Sequence, residues 1–229
     1  MKTAIGFFMG QKGIILLSGG MDSGVLLAHS VASYTESRAL TLLYGSKQSA
    51  REAACAKKLA LQYDVEHSVI DMQFLKSLLH SSLLQESSPV PDGTYDTVNM
   101  RSTVVPFRNG IFLALGVALA EDLSFHNVLI GSHAGDSAVY PDCRQKFTAT
   151  FSDAAALGTY NQVKISSPFS ALTKKQIAQI GKELEFDFQL TWTCYNSRSV
   201  HCGTCAACNS RKQALDFHLG KDPTEYEAS

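Results

Sequence analysis

Ser18-Gly19-Gly20-Met21-Asp22-Ser23 gathers two hydroxyls, a carboxylate and two adjacent glycines into one short run. Glycines let a backbone turn tightly and approach a ligand with no Cβ in the way. If a helix follows, its first amides and its dipole favour an anion in the turn. The run therefore reads as a phosphate cradle, with Leu17, Ser18, Gly19, Gly20, Met21, Asp22, Ser23, Gly24, Val25, Leu26 and Leu27 as the nucleotide-binding segment. It lacks the lysine of the Gly-x-x-x-x-Gly-Lys-Ser/Thr loop and the spacing of Gly-x-Gly-x-x-Gly. A second chemistry lies near the C-terminus. Cys202, Cys205 and Cys208 stand three residues apart, with Cys194 a short loop upstream. Four thiolates so spaced can close one tetrahedral Zn²⁺, which makes the site structural. An iron–sulfur cluster or a redox pair is the rival reading, and His201 is a possible substitute for Cys202.

Three further groups carry charge in suggestive places. Arg108 and Asn109 follow Val105-Pro106-Phe107 in the first turn of an expected helix. Asp136, Tyr140, Asp142 and Arg144 crowd one loop, a polar set that a structural turn does not require. Lys174 and Lys175 follow Thr173 at another helix start, where positive charge opposes the dipole and points to a bound anion. Cys143 reads as a small packing residue.

The elements that must position these groups alternate. Ile14–Leu17, Ala39–Tyr44, Val65–Ile70, Val128–Ile130 and Val163–Ile165 read as buried strands. Helices are expected at Ser23–His29, Ser49–Gln62, Met72–His80, from Pro106 onward, at Arg144–Leu157, after Thr173 and at Asn209–Leu219. This is the pattern of an α/β doubly wound five-stranded parallel sheet, with ligands at the carboxyl ends of the strands. The expected division is an ATP-binding domain over 1–189 and a small zinc-binding subdomain over 190–229. Residues Ser81–Val104 lose periodicity and gain Ser, Pro and Gly, as a loop lying over the ligand site would. Phe7-Phe8-Met9 reads as an edge strand or arm.

Composition narrows the function classes. The chain has 229 residues and a formal net charge of −1, without the basic excess of a broad nucleic-acid surface. No apolar run approaches the ~20 residues of a membrane span, and the first ten residues make a poor secretory signal. Six cysteines, four of them clustered, suit a metal site in a reducing cytoplasm rather than a disulfide scaffold.

The glycine turn resembles the PP-loop of the ATP pyrophosphatase superfamily, whose fold is adenine nucleotide alpha hydrolase-like. The chain as a whole is similar to the 7-cyano-7-deazaguanine (preQ0) synthase family of queuosine biosynthesis. The resemblance runs from Ser-Gly-Gly-Met-Asp-Ser through Val-Pro-Phe-Arg-Asn and Tyr-Pro-Asp-Cys-Arg to Thr-Cys-Tyr and Cys-Gly-Thr-Cys-Ala-Ala-Cys. The first motif is shared by the superfamily, whereas Tyr-Pro-Asp-Cys-Arg with the cysteine cluster is far more specific. Three places depart from the family pattern. Tyr44-Gly45-Ser46-Lys47-Gln48 stands for Tyr-Gly-Gln-Arg-His, Phe107 for a commoner glycine, and Gly135–Val139 for Asp-Phe-Ser-Gly.

The resemblance implies an ATP-dependent C–N ligase acting on 7-carboxy-7-deazaguanine and ammonia, with ATP, Mg²⁺ and Zn²⁺. It also implies a homodimer, with no nucleic-acid or membrane partner. It implies that Asp22, Ser23, Arg108 and Lys174 do the catalytic work, Asp22 helping to hold Mg²⁺. Asn109, Asp136, Tyr140, Asp142 and Arg144 would hold the base and its carboxylate. Cys194, Cys202, Cys205 and Cys208 would hold zinc. The departures leave room for a paralogue with another acceptor. A tRNA thiolation enzyme or a non-enzymic zinc adaptor on the same fold are the other readings.

Overall fold

The computed structural model describes residues 11–84, 88–96, 98–196 and 198–227. The reading of Phe7-Phe8-Met9 lies outside them. The strands are β1 (Lys12–Leu16), β2 (Glu36–Leu43), β3 (Glu66–Asp71), β4 (Asn127–Leu129) and β5 (Lys164–Ser166). The helices are α1 (Met21–Val31), α2 (Ser49–Gln62), α3 (Arg108–Asp122), α4 (Ala134–Val139), α5 (Gln145–Leu157), α6 (Lys174–Glu183) and α7 (Ala206–Leu219). All strand pairs are parallel and the order is β3-β2-β1-β4-β5. The chain winds outward from β1 to β3, then crosses to β1's other side. The strand ends of β1 and β4 thus form the switch point where doubly wound sheets bind ligands.

Strand β1 shows why the sheet has two cores. Ile15 and Leu17 face the layer of α1, α2, α6 and α7, beside Val25, Leu26, Leu59 and Ile177. Ile14 and Leu16 face the layer of α3 and α5, beside Leu113, Val117 and Ala155. A period-2 chain that is apolar on both faces has to sit in the middle of a covered sheet. Strand β3 is one edge, opposite β5, and every residue in it is at least partly exposed.

Several boundaries differ from expectation, each for a local reason. Helix α1 begins at Met21, so Asp22 and Ser23 fall in its first turn. Met72–His80 forms only a 3-10 turn at Gln73–Ser77, because the Asp71 carboxylate takes the Gln73 amide (2.9 Å) and tightens the chain. Helix α7 starts three residues early, directly after Cys205. Asp136 lies in the short helix α4 and Asp142 in a 3-10 turn at Pro141–Cys143 rather than in an open loop.

The start of α3 is the largest difference. Pro106 lies outside the helix, and Phe107 precedes it in the left-handed region at φ 54°. A residue so placed makes no side-chain cap. Asp142 supplies one from a distance: its Oδ2 accepts the Asn109 amide at 2.8 Å. The Phe107 ring lies over Gly110 and meets Phe147 edge-on.

The C-terminal segment shares the main core. Ala214 and Leu215 of α7 pack with α1 and α6. Arg211, fully buried, donates to Thr191 Oγ1 (2.7 Å), Phe188 O (2.7 Å) and Thr224 Oγ1 (2.8 Å), with Asp222 at 3.5 Å. Among the described residues no helix is long and apolar enough to cross a membrane.

Removing the Asp142 carboxylate should uncap α3. We expect Asp142→Ala to lower stability by about 1–2 kcal/mol in urea unfolding, with Asp142→Asn losing less.

Candidate active site

The glycine turn closes on itself and on α2. Gly19 adopts φ +81°, and a Cβ there would stand 2.1 Å from the Glu52 carbonyl oxygen. Its own carbonyl accepts the Trp192 amide at 2.9 Å. Ser18 N donates to Ser23 Oγ (3.2 Å), the two hydroxyl oxygens are 3.0 Å apart, and Ser23 Oγ donates to Gly20 O (3.2 Å). The turn is therefore held by hydroxyls and packing, and α1 presents its N-terminus to the cavity.

Leu17, Ser18, Gly20, Met21, Asp22 and Ser23 line that cavity. Gly24, Val25, Leu26 and Leu27 do not. They are buried in α1, where the three aliphatic residues join the core, so the cavity-facing segment ends at Ser23.

Two cations and three carboxylates share the cavity wall. Lys174 Nζ stands 3.1 Å from Asp22 Oδ2, across from the first turn of α1. The other oxygen, Asp22 Oδ1, is buried without a hydrogen-bond partner. An orphaned carboxylate oxygen beside a phosphate cradle fits a divalent cation such as Mg²⁺. Arg108 lies over the rings of Tyr44 (5.6 Å) and Phe112 (5.9 Å), and its Nε donates to Asn109 Oδ1 at 3.3 Å. Among the described residues no carboxylate pairs with it. This leaves the guanidinium open to an anion.

The opposite wall is aromatic. Tyr95, Tyr140 and Tyr195 line it with Asp136 and Cys143. Tyr95 donates to Asp136 Oδ1 at 2.9 Å, and the His133 amide donates to Oδ2 at 3.1 Å. Burial, then the nearby Asp136 and the neighbouring phenols, push the Tyr95 hydroxyl well above the ordinary phenol range. Tyr195 is pushed the same way, by burial first. These phenols are neutral donors. Burial and Asp136 also raise the Cys143 thiol, whose sulfur accepts from Asn109 Nδ2 at 3.0 Å. It is a packed thiol and no thiolate nucleophile.

The expected base-binding set divides. Asn109, Asp136 and Tyr140 reach the cavity, but Asp142 and Arg144 do not line it. Asp142 caps α3 from beneath, and Arg144 is exposed in the position before α5. The cavity also holds Tyr44, Gln48, Glu52, Tyr95, Trp192, Thr193 and Tyr195, which sequence reasoning did not assign to it. Tyr95 lies in the irregular stretch expected to cover the site, and Tyr195 adjoins Cys194. Gln48 ends the Tyr44–Gln48 stretch that departs from the family pattern, whereas Glu52 gave no signal, since helix α2 reads as an ordinary Ala-rich helix.

The four cysteine sulfurs lie within 4.8 Å of one another, all on buried residues. Cys202 N and Asn196 N donate to Cys194 Sγ at 3.4 Å each, and Cys205 N donates to Cys202 Sγ at 3.3 Å. Hydrogen bonds from Cys194 and Cys208 hold Cys205 far below the usual thiol range, as a thiolate. A convergent, partly ionised sulfur set fits a bound metal ion. His201 stands apart. Its Nε2 accepts the Thr193 amide (3.1 Å), its ring lies 4.2 Å from that of Trp192, and burial lowers it to about 4.

The cluster also fastens two walls of the cavity. Trp192 Nε1 donates to Cys194 O (2.7 Å) while its backbone amide holds Gly19. The loop before α3 bridges to it through Asp92 and Cys205, and Asn209 Nδ2 donates to Gly93 O at 2.8 Å. Tyr95 stands between these anchors and the cavity.

Comparison with known proteins agrees with this architecture. The family described as "Queuosine biosynthesis protein QueC" matches residues 12–218. The 7-cyano-7-deazaguanine synthase of Desulfotalea psychrophila is 47% identical over 213 residues, covering 93% of this chain and 97% of that protein. The Porphyromonas gingivalis protein of the same name is 44% identical over 217 residues, covering 95% and 98%. Among solved structures, NMN synthetase from Francisella tularensis is similar in fold, with a TM-score of 0.51 and 18% identity over 95% of this chain and 80% of that one. The matched span contains the glycine turn, α3, the Tyr140–Arg144 stretch and the cysteine cluster, and the chain belongs to the QueC family of queuosine biosynthesis proteins.

Proposed function

We infer that this chain is an ATP-dependent ligase that converts 7-carboxy-7-deazaguanine and ammonia to 7-cyano-7-deazaguanine. Its family membership carries this reading over a paralogous ligase with another acceptor and over a tRNA thiolation enzyme. The observation of chemistry that supports it is the Asp22–Lys174 pair, set at 3.1 Å against the α1 N-terminus in a cavity that also holds Arg108.

A carboxylate is a poor electrophile because its oxygen leaves badly. Transfer of AMP from ATP makes that oxygen part of a phosphate leaving group, with release of pyrophosphate. Ammonia then displaces AMP and forms the amide. A second adenylation, on the amide oxygen, allows loss of AMP to leave the nitrile. One site serves both rounds, since each needs the same adenylyl transfer.

The residues divide this work. The α1 amides with Ser18 and Ser23 hold the phosphates. Lys174 and Arg108 balance charge on the departing pyrophosphate, where fixed charges contribute most. Asp22 would hold Mg²⁺, which neutralises phosphate charge when bound. Tyr95, Tyr140 and Tyr195 offer neutral donors and flat faces to a fused-ring base, and Asp136 an acceptor for its N–H groups. Cys194, Cys202, Cys205 and Cys208 would hold Zn²⁺ outside the reaction, fixing Trp192 and the loop that carries Tyr95.

Incubation with ATP, ammonia and 7-carboxy-7-deazaguanine should yield the nitrile by mass spectrometry, with pyrophosphate and AMP formed together. Absence of the nitrile would overturn the reading. Lys174→Ala should slow acid-dependent ATP–pyrophosphate exchange by about 100-fold with little change in unfolding midpoint. The purified protein should carry stoichiometric zinc by elemental analysis. Cys205→Ser should lose that metal, lower the unfolding midpoint and raise the KM for ATP, because Gly19 would lose the support of Trp192.

A further inference from the structure

One corner of the cavity is left over by these assignments. Gln48 is 1% exposed, lines the cavity, and its Oε1 is buried with no hydrogen-bond partner. Glu52, one turn along, lines the same wall, and the Gln48 side chain acts to lower its carboxyl. A buried amide oxygen without a donor leaves a polar group unsatisfied, and such an acceptor suits an N–H donor. Of the other cavity carboxylates, Asp22 faces Lys174 and Asp136 accepts from Tyr95 and the His133 amide. Among the described residues Glu52 forms no ion pair.

The reaction inferred above, on which this step rests, needs neutral ammonia. Near neutral pH the co-substrate is almost wholly ammonium, which has four donors and no lone pair. Some group must seat it on acceptors and take a proton before it can attack. We propose that Gln48 and Glu52 form the ammonium site, with Glu52 as the general base that releases ammonia to the acyl adenylate.

The charged and titratable groups facing Glu52 are Tyr44 after β2, Arg108 of α3 and Cys55 on α2 itself. Burial raises the Glu52 carboxyl to about 7, while the Arg108 charge and then the Gln48 side chain oppose that rise. A base so poised can accept a proton and return it near neutrality. Arg108 makes the corner hostile to a lasting cation and so favours the neutral nucleophile.

The step balances. Ammonium passes one proton to the Glu52 carboxylate. The freed lone pair bonds to the acyl carbon, and the bond from that carbon to the AMP oxygen breaks, its electrons leaving with AMP. The extra proton on the new amide nitrogen goes to water, and Glu52 returns its own proton to water before the next turnover.

The test separates half-reactions. Acid-dependent ATP–pyrophosphate exchange needs no nitrogen nucleophile. Hydroxylamine, largely unprotonated near neutral pH, needs no base. Glu52→Gln should keep most of its exchange rate yet lose about 100-fold in kcat/KM for ammonia, and hydroxylamine should restore hydroxamate formation close to the wild-type rate. Gln48→Met should raise the KM for ammonia several-fold with exchange intact. Exchange falling together with ammonia turnover would assign the corner to nucleotide or acid and overturn the proposal. An unchanged ammonia dependence, or no hydroxylamine rescue, would overturn it too. Failure of the wild-type protein to exchange at all would instead remove the functional reading beneath it.

Discussion

The left-handed turn at Gly19 is the constraint on which the site depends. It lets the loop after β1 lie flat on α2, with no space for a Cβ above the Glu52 carbonyl. The next residues then enter α1 with their amides turned to the cavity. The same turn is held from the far end of the chain by the Trp192 amide. The proposed phosphate cradle is thus a packed junction between β1, α2 and the segment before the cysteines, rather than a free glycine loop.

That junction explains why a cysteine cluster belongs in this enzyme. Four converging sulfurs fix a stretch of chain too polar and too short to fold on apolar burial alone. Trp192 and the bridge between Asp92 and Cys205 connect that stretch to the glycine turn and to the loop carrying Tyr95. Arg211 does similar work inside the protein, where its two terminal nitrogens join α7 to the chain around Phe188, Thr191 and Thr193 and its Nε reaches Thr224. The guanidinium, and the metal the sulfurs would hold, join these segments by directional bonds.

The cavity sorts its charges by element. Helices α1 and α6 face each other with a carboxylate and an ammonium, α3 brings a guanidinium on two aromatic faces, and α2 brings a carboxyl, with the Gln48 amide just before it. The tyrosines form the remaining wall, where Tyr95 and the His133 amide donate to Asp136.

Much of this was legible in the residues. The β1 run Ile14–Leu17, apolar at every position, had to be a central strand, and the alternation that followed had to be doubly wound. The glycine turn, Lys174 at a helix start and the cysteine spacing each carry a local physical demand that names its own chemistry. Asp142 and Arg144 carry no such mark. An acid beside a tyrosine reads as ligand-binding until α3 is seen to lack a cap, because Phe107 is left-handed and the Asn109 amide needs a partner 33 residues away. Glu52 was silent for the converse reason. A helix face becomes a cavity wall only when another segment, here Gly19 and Trp192, packs beside it. Periodicity and spacing determine what is near along the chain; which groups share a cavity, and which carboxylate there is left without a cation, is decided by long-range packing alone.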